Sequence, residues 1–243
     1  PNGLTPSRSH SKYDGCDYPE SLEFYKEVAT YWIKNYKIDG WRLDQCYQTG
    51  ASGNKSYTGG HNYWYEIRQA VNEACAQNQA EGSEWGTLGY MVGECWDGNA
   101  RTIQRKVVDP GTGTGYGLTS CFDFPSRYKL VQTFAQEAGG RSDQSLGAAL
   151  SYTYKTAAEK GYEHPDGYYP NLFIGNHDLL RLGNLINWKY QISTGNSLYW
   201  NIHKLALATI AAYSGPITIY YGDEWGAYVA DYTARGDHGW YND

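Results

Sequence analysis

The sequence predicts an α/β fold on a parallel sheet, of the (β/α)8 TIM-barrel kind but with too few strands to close a barrel. Three observations carry that reading. Five short apolar segments, 38–44, 89–96, 118–125, 171–178 and 216–224, are bounded by Gly, Pro, Asn or Asp and read as buried strands. Helical stretches lie between them, the βαβ pattern of a parallel sheet. Three acids, Asp44, Glu94 and Asp178, each stand where a short apolar stretch of these segments gives way to a polar loop. Functional groups at several strand ends suit a barrel, whose site lies at the carboxyl ends of its strands. The competing open, doubly wound sheet loses its nucleotide-binding versions, because no Gly-rich phosphate loop follows any strand.

The elements follow in order. Before the first strand, Leu22, Tyr25, Ala29, Trp32, Ile33 and Tyr36 recur at helical spacing, with Pro19 suited to the first turn. After that strand, Trp64, Ile67, Val71, Ala74 and Cys75 form a second helical stripe. Before the last strand, Ile202, Leu205, Ala206, Thr209, Ile210 and Tyr213 form a third, which Gly215-Pro216 ends. Segments 52–60, 82–89, 97–117 and 231–243 are polar or Gly-rich loops, long enough at strand ends to suggest function.

With 243 residues, 41% of them hydrophobic, the chain can bury a core and is not disordered. A net charge of −6 argues against nucleic acid or an anionic membrane as the main partner. No apolar run is long enough to span a membrane. Aromatic residues stand out, with 25 Tyr and 9 Trp. Most serve core and surface, but flat rings also cover the apolar faces of sugars while their polar edges reach hydroxyls. The five Cys, at 16, 46, 75, 95 and 121, show no zinc-type spacing. Cys46 shares the alternation face of Asp44, and Cys95 adjoins Glu94; both read as small buried hydrophobes before reactive thiols.

The acids differ in their neighbours. Arg42 and Asp44 are two apart on a strand and so face the same way, and a cation there favours the ionised carboxylate a nucleophile needs. An isolated Arg-x-Asp is otherwise a structural pair. Glu94 stands among Gly93, Cys95 and Trp96, walls that favour the protonated form a general acid needs; alone, it is a loop cap. His177 beside Asp178 can donate to a sugar hydroxyl, and Asp178 can hold two neighbouring hydroxyls. Arg181 follows closely and can orient Asp178. Carboxylates converging among aromatics are what cleavage of a glycosidic bond requires.

At these residues the chain resembles the α-amylase family, glycoside hydrolase family 13. Gly40-Trp41-Arg42-Leu43-Asp44 looks like the fourth-strand motif G-F-R-x-D, and Gly93-Glu94-Cys95-Trp96 like the fifth-strand G-E-x-W. Phe173 to Asp178, ending Asn176-His177-Asp178, looks like the seventh-strand F-x-x-N-H-D. Gly215-Pro216 with Ile219-Tyr220-Tyr221-Gly222-Asp223-Glu224 looks like the eighth-strand segment. The resemblance implies Asp44 as nucleophile, Glu94 as general acid/base and Asp178 as transition-state stabiliser. Arg42, His177, Trp96, Tyr47 and Arg181 are then the substrate-binding candidates. It implies a retaining hydrolase of α-1,4-glucosidic bonds in starch or maltodextrins, its two reacting carboxyls about 5–5.5 Å apart. Related activities on cyclodextrin, pullulan or α-1,6 bonds, glucosyl transfer, and a non-catalytic binding role are the alternatives.

The expected partner is an α-glucan. Calcium is a family expectation, with Tyr47-Gln48 standing where the family often has Lys-His and no third-strand D-x-x-x-N-H motif in the chain. The resemblance makes residues 1–243 one partial catalytic barrel domain, strands four to eight, without the first strands or a C-terminal β-domain. The remainder of the enzyme is then needed to close the barrel. Because polymeric starch cannot enter a cell, an extracellular or periplasmic location is expected.

Overall fold

The computed structural model of the chain describes residues 19–46, 63–104, 117–135, 145–162 and 169–229. Cys16, Tyr47 and the predicted loops 52–60 and 231–243 lie outside the described residues. The elements run α1 Pro19–Tyr36, β1 Gly40–Leu43, α2 Tyr63–Ala80, β2 Tyr90–Gly93, α3 Ala100–Ile103, β3 Ser120–Cys121 and α4 Phe124–Phe134. There follow α5 Leu146–Thr153, α6 Ala157–Lys160, β4 Leu172–Phe173, α7 Leu182–Tyr190, α8 Ser197–Ala211, β5 Ile217–Thr218 and a short 3-10 turn Asp223–Trp225. All five predicted strands are present, each shorter than the apolar run that announced it. No helix among the described residues is long and apolar enough to cross a membrane. The chain divides into two compact units.

The first unit holds β1, β2 and β3 as a parallel sheet in chain order. Leu43 pairs with Gly93, and Gly93 in turn with Cys121. Parallel neighbours in simple chain order are what successive βα units of a barrel give. At the opposite end of these strands, the Tyr90 hydroxyl donates to Ser120 Oγ (3.0 Å), and Ser120 donates to the Tyr169 carbonyl (3.0 Å).

Helices α1 and α2 pack together, with Ile33, Val71 and Met91 fully buried. The Asn78 amide ties the end of α1 to the loop after α2, donating to the carbonyls of Ile33 (3.0 Å) and Gly86 (2.9 Å). Along α1, Ala29 and Ile33 are buried, but Tyr25, Trp32 and Tyr36 are exposed. Trp32 and Tyr36 pack ring on ring instead, with centroids 4.9 Å apart. Spacing predicts the helix, while what covers each face is a property of the packing partner.

The second unit holds β4 and β5 as a parallel pair, with Leu172 opposite Ile217. Its core gathers Leu130, Leu172, Leu185, Tyr199, Ala206 and Ile210 from α4, β4, α7 and α8. The predicted strand 118–125 stops early because Asp123 caps α4, accepting the Ser126 N–H at 3.2 Å, and Pro125 occupies the first helical turn. A fully buried ion pair lies behind this cap: Lys160 Nζ stands 2.8 Å from Asp123 Oδ2, with the rings of Tyr152 and Tyr213 about it. Burial, helped by the Asp123 charge, pushes the Tyr152 phenol up to about 12, so it stays protonated.

Helix α8 forms as its spacing predicts, but its buried face is rotated. Tyr199, His203, Ala206 and Ile210 point inward, while Leu205 is 48% exposed. His203 is buried beside the Tyr199 ring, and neither ring nitrogen has a hydrogen-bond partner. Burial lowers its pKa from 6.5 to about 4. Because the folded value lies below the unfolded one, the stability tied to neutral His203 is complete above pH 6.5 and is lost as pH falls toward 4. Between pH 7.5 and 5, urea unfolding should show a loss of about 2 kcal/mol from this residue, at 1.36 kcal/mol per pH step below 6.5. A His203→Phe chain should lack that component; parallel acid losses in both chains would assign it elsewhere.

Candidate active site

Two of the three acids stand on adjacent strands of the first unit. Asp44 and Glu94 each follow directly on the paired residues Leu43 and Gly93, so they leave neighbouring parallel strands at the same level. The ladder continues past them: the Glu94 N–H donates to the Leu43 carbonyl, and the Cys46 N–H to the Glu94 carbonyl, both at 2.9 Å. Their surroundings differ. Glu94 is buried, and its Oε2 accepts the backbone N–H of Gln45 at 3.1 Å. The Asp44 side chain is 70% exposed and pairs with Arg42 Nη1 at 2.8 Å. That pair, on the same strand face as its spacing predicts, contributes little to stability in solvent, but it holds one carboxylate oxygen in a set direction.

The turn after Asp44 corrects one expectation. Cys46 does not share the exposed face of Asp44; it is fully buried, and its thiol donates to the Glu94 carbonyl (3.2 Å). Gln45 adopts a left-handed backbone, φ 40°, which breaks the strand alternation and turns Cys46 inward. Burial pushes the Cys46 thiol well up, and Cys121, Cys95 and Glu94 push it further. Such a thiol is no nucleophile at neutral pH. Cys95 and Cys121 are also fully buried, so the strand ends rest on an apolar thiol layer. Trp96, two residues past Glu94, is 40% exposed.

Asp178 belongs to the second unit, in the turn beyond β4. Asn176 shapes that turn: its side-chain oxygen accepts the Asp178 N–H at 2.9 Å, and its carbonyl accepts the Leu179 N–H at 3.2 Å. His177 and Asp178 are both partly exposed, with His177 Nε2 3.1 Å from Asp178 Oδ2. Below them the buried Arg127 of α4 donates from Nε to the Ile174 carbonyl at 3.0 Å. Arg181 is not placed to touch a sugar. It is 5% exposed, donates to the Tyr221 carbonyl (2.8 Å), and lies 3.9 Å from the Asp223 carboxylate. Its burial and these partners give it a structural place, where the sequence expects a substrate-binding one.

The sequence pattern assigns no role to Gln45, Asn176, Arg127 or Asp223. Asn two residues before a key acid is a legible turn signal. Gln45 and Arg127 act through backbone contacts, and Asp223 through its approach to Arg181, all with partners distant in the chain.

The family model of the alpha-amylase catalytic domain matches residues 17–237. The chain belongs to the alpha-amylase family. It is 28% identical over 216 residues to a cyclomaltodextrinase of Thermoanaerobacter pseudethanolicus, covering 88% of this chain and 29% of that relative. Among solved structures, AmyP in complex with maltose is 39% identical with TM-score 0.68, covering 88% of this chain and 40% of that one. A Glu-to-Gln variant of AmyP in complex with maltotriose is 37% identical with TM-score 0.70, covering 94% and 44%. The chain thus spans less than a third of the curated relative's length and under half of AmyP. Its parallel strands and helices are units of the family's (β/α)8 barrel, the fold class the sequence predicts.

For this alpha-amylase family chain, no three His, Cys, Asp or Glu side chains among the described residues group as metal ligands do. The stretch around Tyr47, which the resemblance links to calcium, lies outside those residues. No step below is routed through a metal.

Proposed function

We propose that this chain carries the reacting carboxylates of a retaining α-glucan hydrolase acting on α-1,4-glucosidic bonds. The observation that carries the reading is the pairing of unlike acids at one level of β1 and β2, within a chain of this family: Asp44 open and held by Arg42, Glu94 buried and held by Gln45. Asp44 attacks the anomeric carbon, and the bond to the leaving oxygen breaks as Glu94 gives that oxygen its proton. Glu94 then takes a proton from water, whose oxygen attacks the anomeric carbon from the face the leaving group left and displaces Asp44, and both carboxyls return to their starting states. Asp178 and His177 hold ring hydroxyls, and Trp96 covers an apolar sugar face.

Short maltodextrins are the substrates this reading favours, supported by the AmyP complexes with maltose and maltotriose. Cyclodextrin is a second reading, supported by the cyclomaltodextrinase at 28% identity. The full-length protein should release products of retained α-configuration, visible by proton NMR before mutarotation. Inverted products would remove the nucleophile role of Asp44. Relative rates on starch, maltotriose, β-cyclodextrin and pullulan separate the substrate readings.

A further inference from the structure

Arg181 sits at the start of α7, immediately beyond the turn that carries His177 and Asp178. Its guanidinium is buried, lies against the rings of Tyr220 (4.7 Å) and Tyr221 (5.0 Å), and donates to the Tyr221 carbonyl at 2.8 Å. Its charge is met by Asp223, itself buried, at 3.9 Å. The chain after β5 is shaped to allow this. Gly222 has φ +90°, and a side-chain carbon there would stand 3.0 Å from Arg181 Nη1. The Asp223 carboxylate also lies against the Asp178 loop, since a carbon added at Gly175 would meet Asp223 Oδ2 at 3.3 Å.

Two buried charges are costly to desolvate and are a poor device for stability alone. Here they join two strand ends. Arg181 belongs to the chain leaving the Asp178 turn, Asp223 to the turn after β5, and Gly175 to the loop leading into Asp178. Arg127 fixes the next carbonyl back, at Ile174 (3.0 Å). The loop that presents Asp178 is therefore held at its base and from its far side, while the acid itself stays open.

We propose that Arg181 and Asp223 are positioning residues for Asp178, acting through the backbone of the 174–178 loop and not through contact with sugar. The proposal rests on the reading of Asp178 as a transition-state group. Rate is sensitive to such placement, an error of about 1 Å costing about 10²-fold.

The test is a kinetic cycle on maltotriose in the full chain. Asp223→Asn should lower kcat by about 10- to 100-fold while KM moves less than about threefold, the loss of misplacement, not of binding. In an Asp178→Asn background the same change should cost almost nothing further, because the residue it positions is gone. Gly175→Ala, which crowds the Asp223 carboxylate, and Arg181→Lys, which keeps the charge and loses the fork, should follow the same pattern in milder form. They carry the cycle if Asp223→Asn does not fold. Losses that add fully to Asp178→Asn, or a rise in KM at unchanged kcat, overturn the proposal. If Asp178→Asn alone leaves kcat intact, the transition-state role fails and the positioning role with it, whereas additive losses with an essential Asp178 overturn positioning only.

Discussion

The full-length protein carrying Glu94→Gln will lose about 10²- to 10⁴-fold in kcat on maltodextrin, the range general acid–base catalysis supplies. The substitution isolates chemistry from shape. A Gln side chain fills the same buried space, and its carbonyl oxygen can still accept the Gln45 N–H now held by Oε2 at 3.1 Å. What disappears is a proton that can be given to the leaving oxygen and taken back from water. The circular dichroism spectrum should be unchanged and KM should stay near that of the parent. A Glu94→Gln chain cleaving maltodextrin as fast as the parent would remove Glu94 from the reaction and with it the proposed mechanism.

The largest stability effect is expected at Lys160. The Lys160–Asp123 pair has no exposed side-chain surface, and Asp123 also accepts from the Ser126 N–H and hydroxyl (3.2 and 2.6 Å). Lys160→Met leaves a buried carboxylate without its cation, a change that costs about 3–5 kcal/mol in comparable pairs. Asp123→Asn in addition to Lys160→Met should recover part of that loss, because the neutral amide keeps an oxygen for the α4 cap and no charge remains to be desolvated. Urea midpoints at pH 7 read both values. A loss below about 1 kcal/mol for Lys160→Met would mean that the site takes up water and behaves as a surface pair. The same geometry links stability to the sheet, because the Asp123 N–H donates to the Asn171 carbonyl (2.9 Å) just before β4.

Much of the site is legible in the amino-acid sequence, for a definite reason. The candidate acids stand at or beyond strand ends, and a strand end is marked by an apolar run stopping at polar residues. Asp44, Glu94 and Asp178 each carry that mark, and Arg42 pairs with Asp44 because alternation puts residues two apart on one face. The alternation rule fails one step later, at Cys46, where the left-handed Gln45 turns the chain. Closeness in sequence to Asp178 draws Arg181 toward the ligand, whereas its partners lie 40 and 42 residues away at Tyr221 and Asp223. Proximity along the chain says nothing of which way a long side chain turns.

The sequence by itself determined the five strands, helices α1, α2 and α8, the parallel α/β class and the family, because periodicity and short motifs are local properties. Only the tertiary structure decided the environments of the three acids: Glu94 buried and braced by Gln45, Asp44 left open, Asp178 set on a turn near a buried Arg127. It also decided which helix faces are covered, turning His203 inward and Leu205 outward on α8. Burial and charge partners arise from residues distant in the chain, and a local pattern fixes neither.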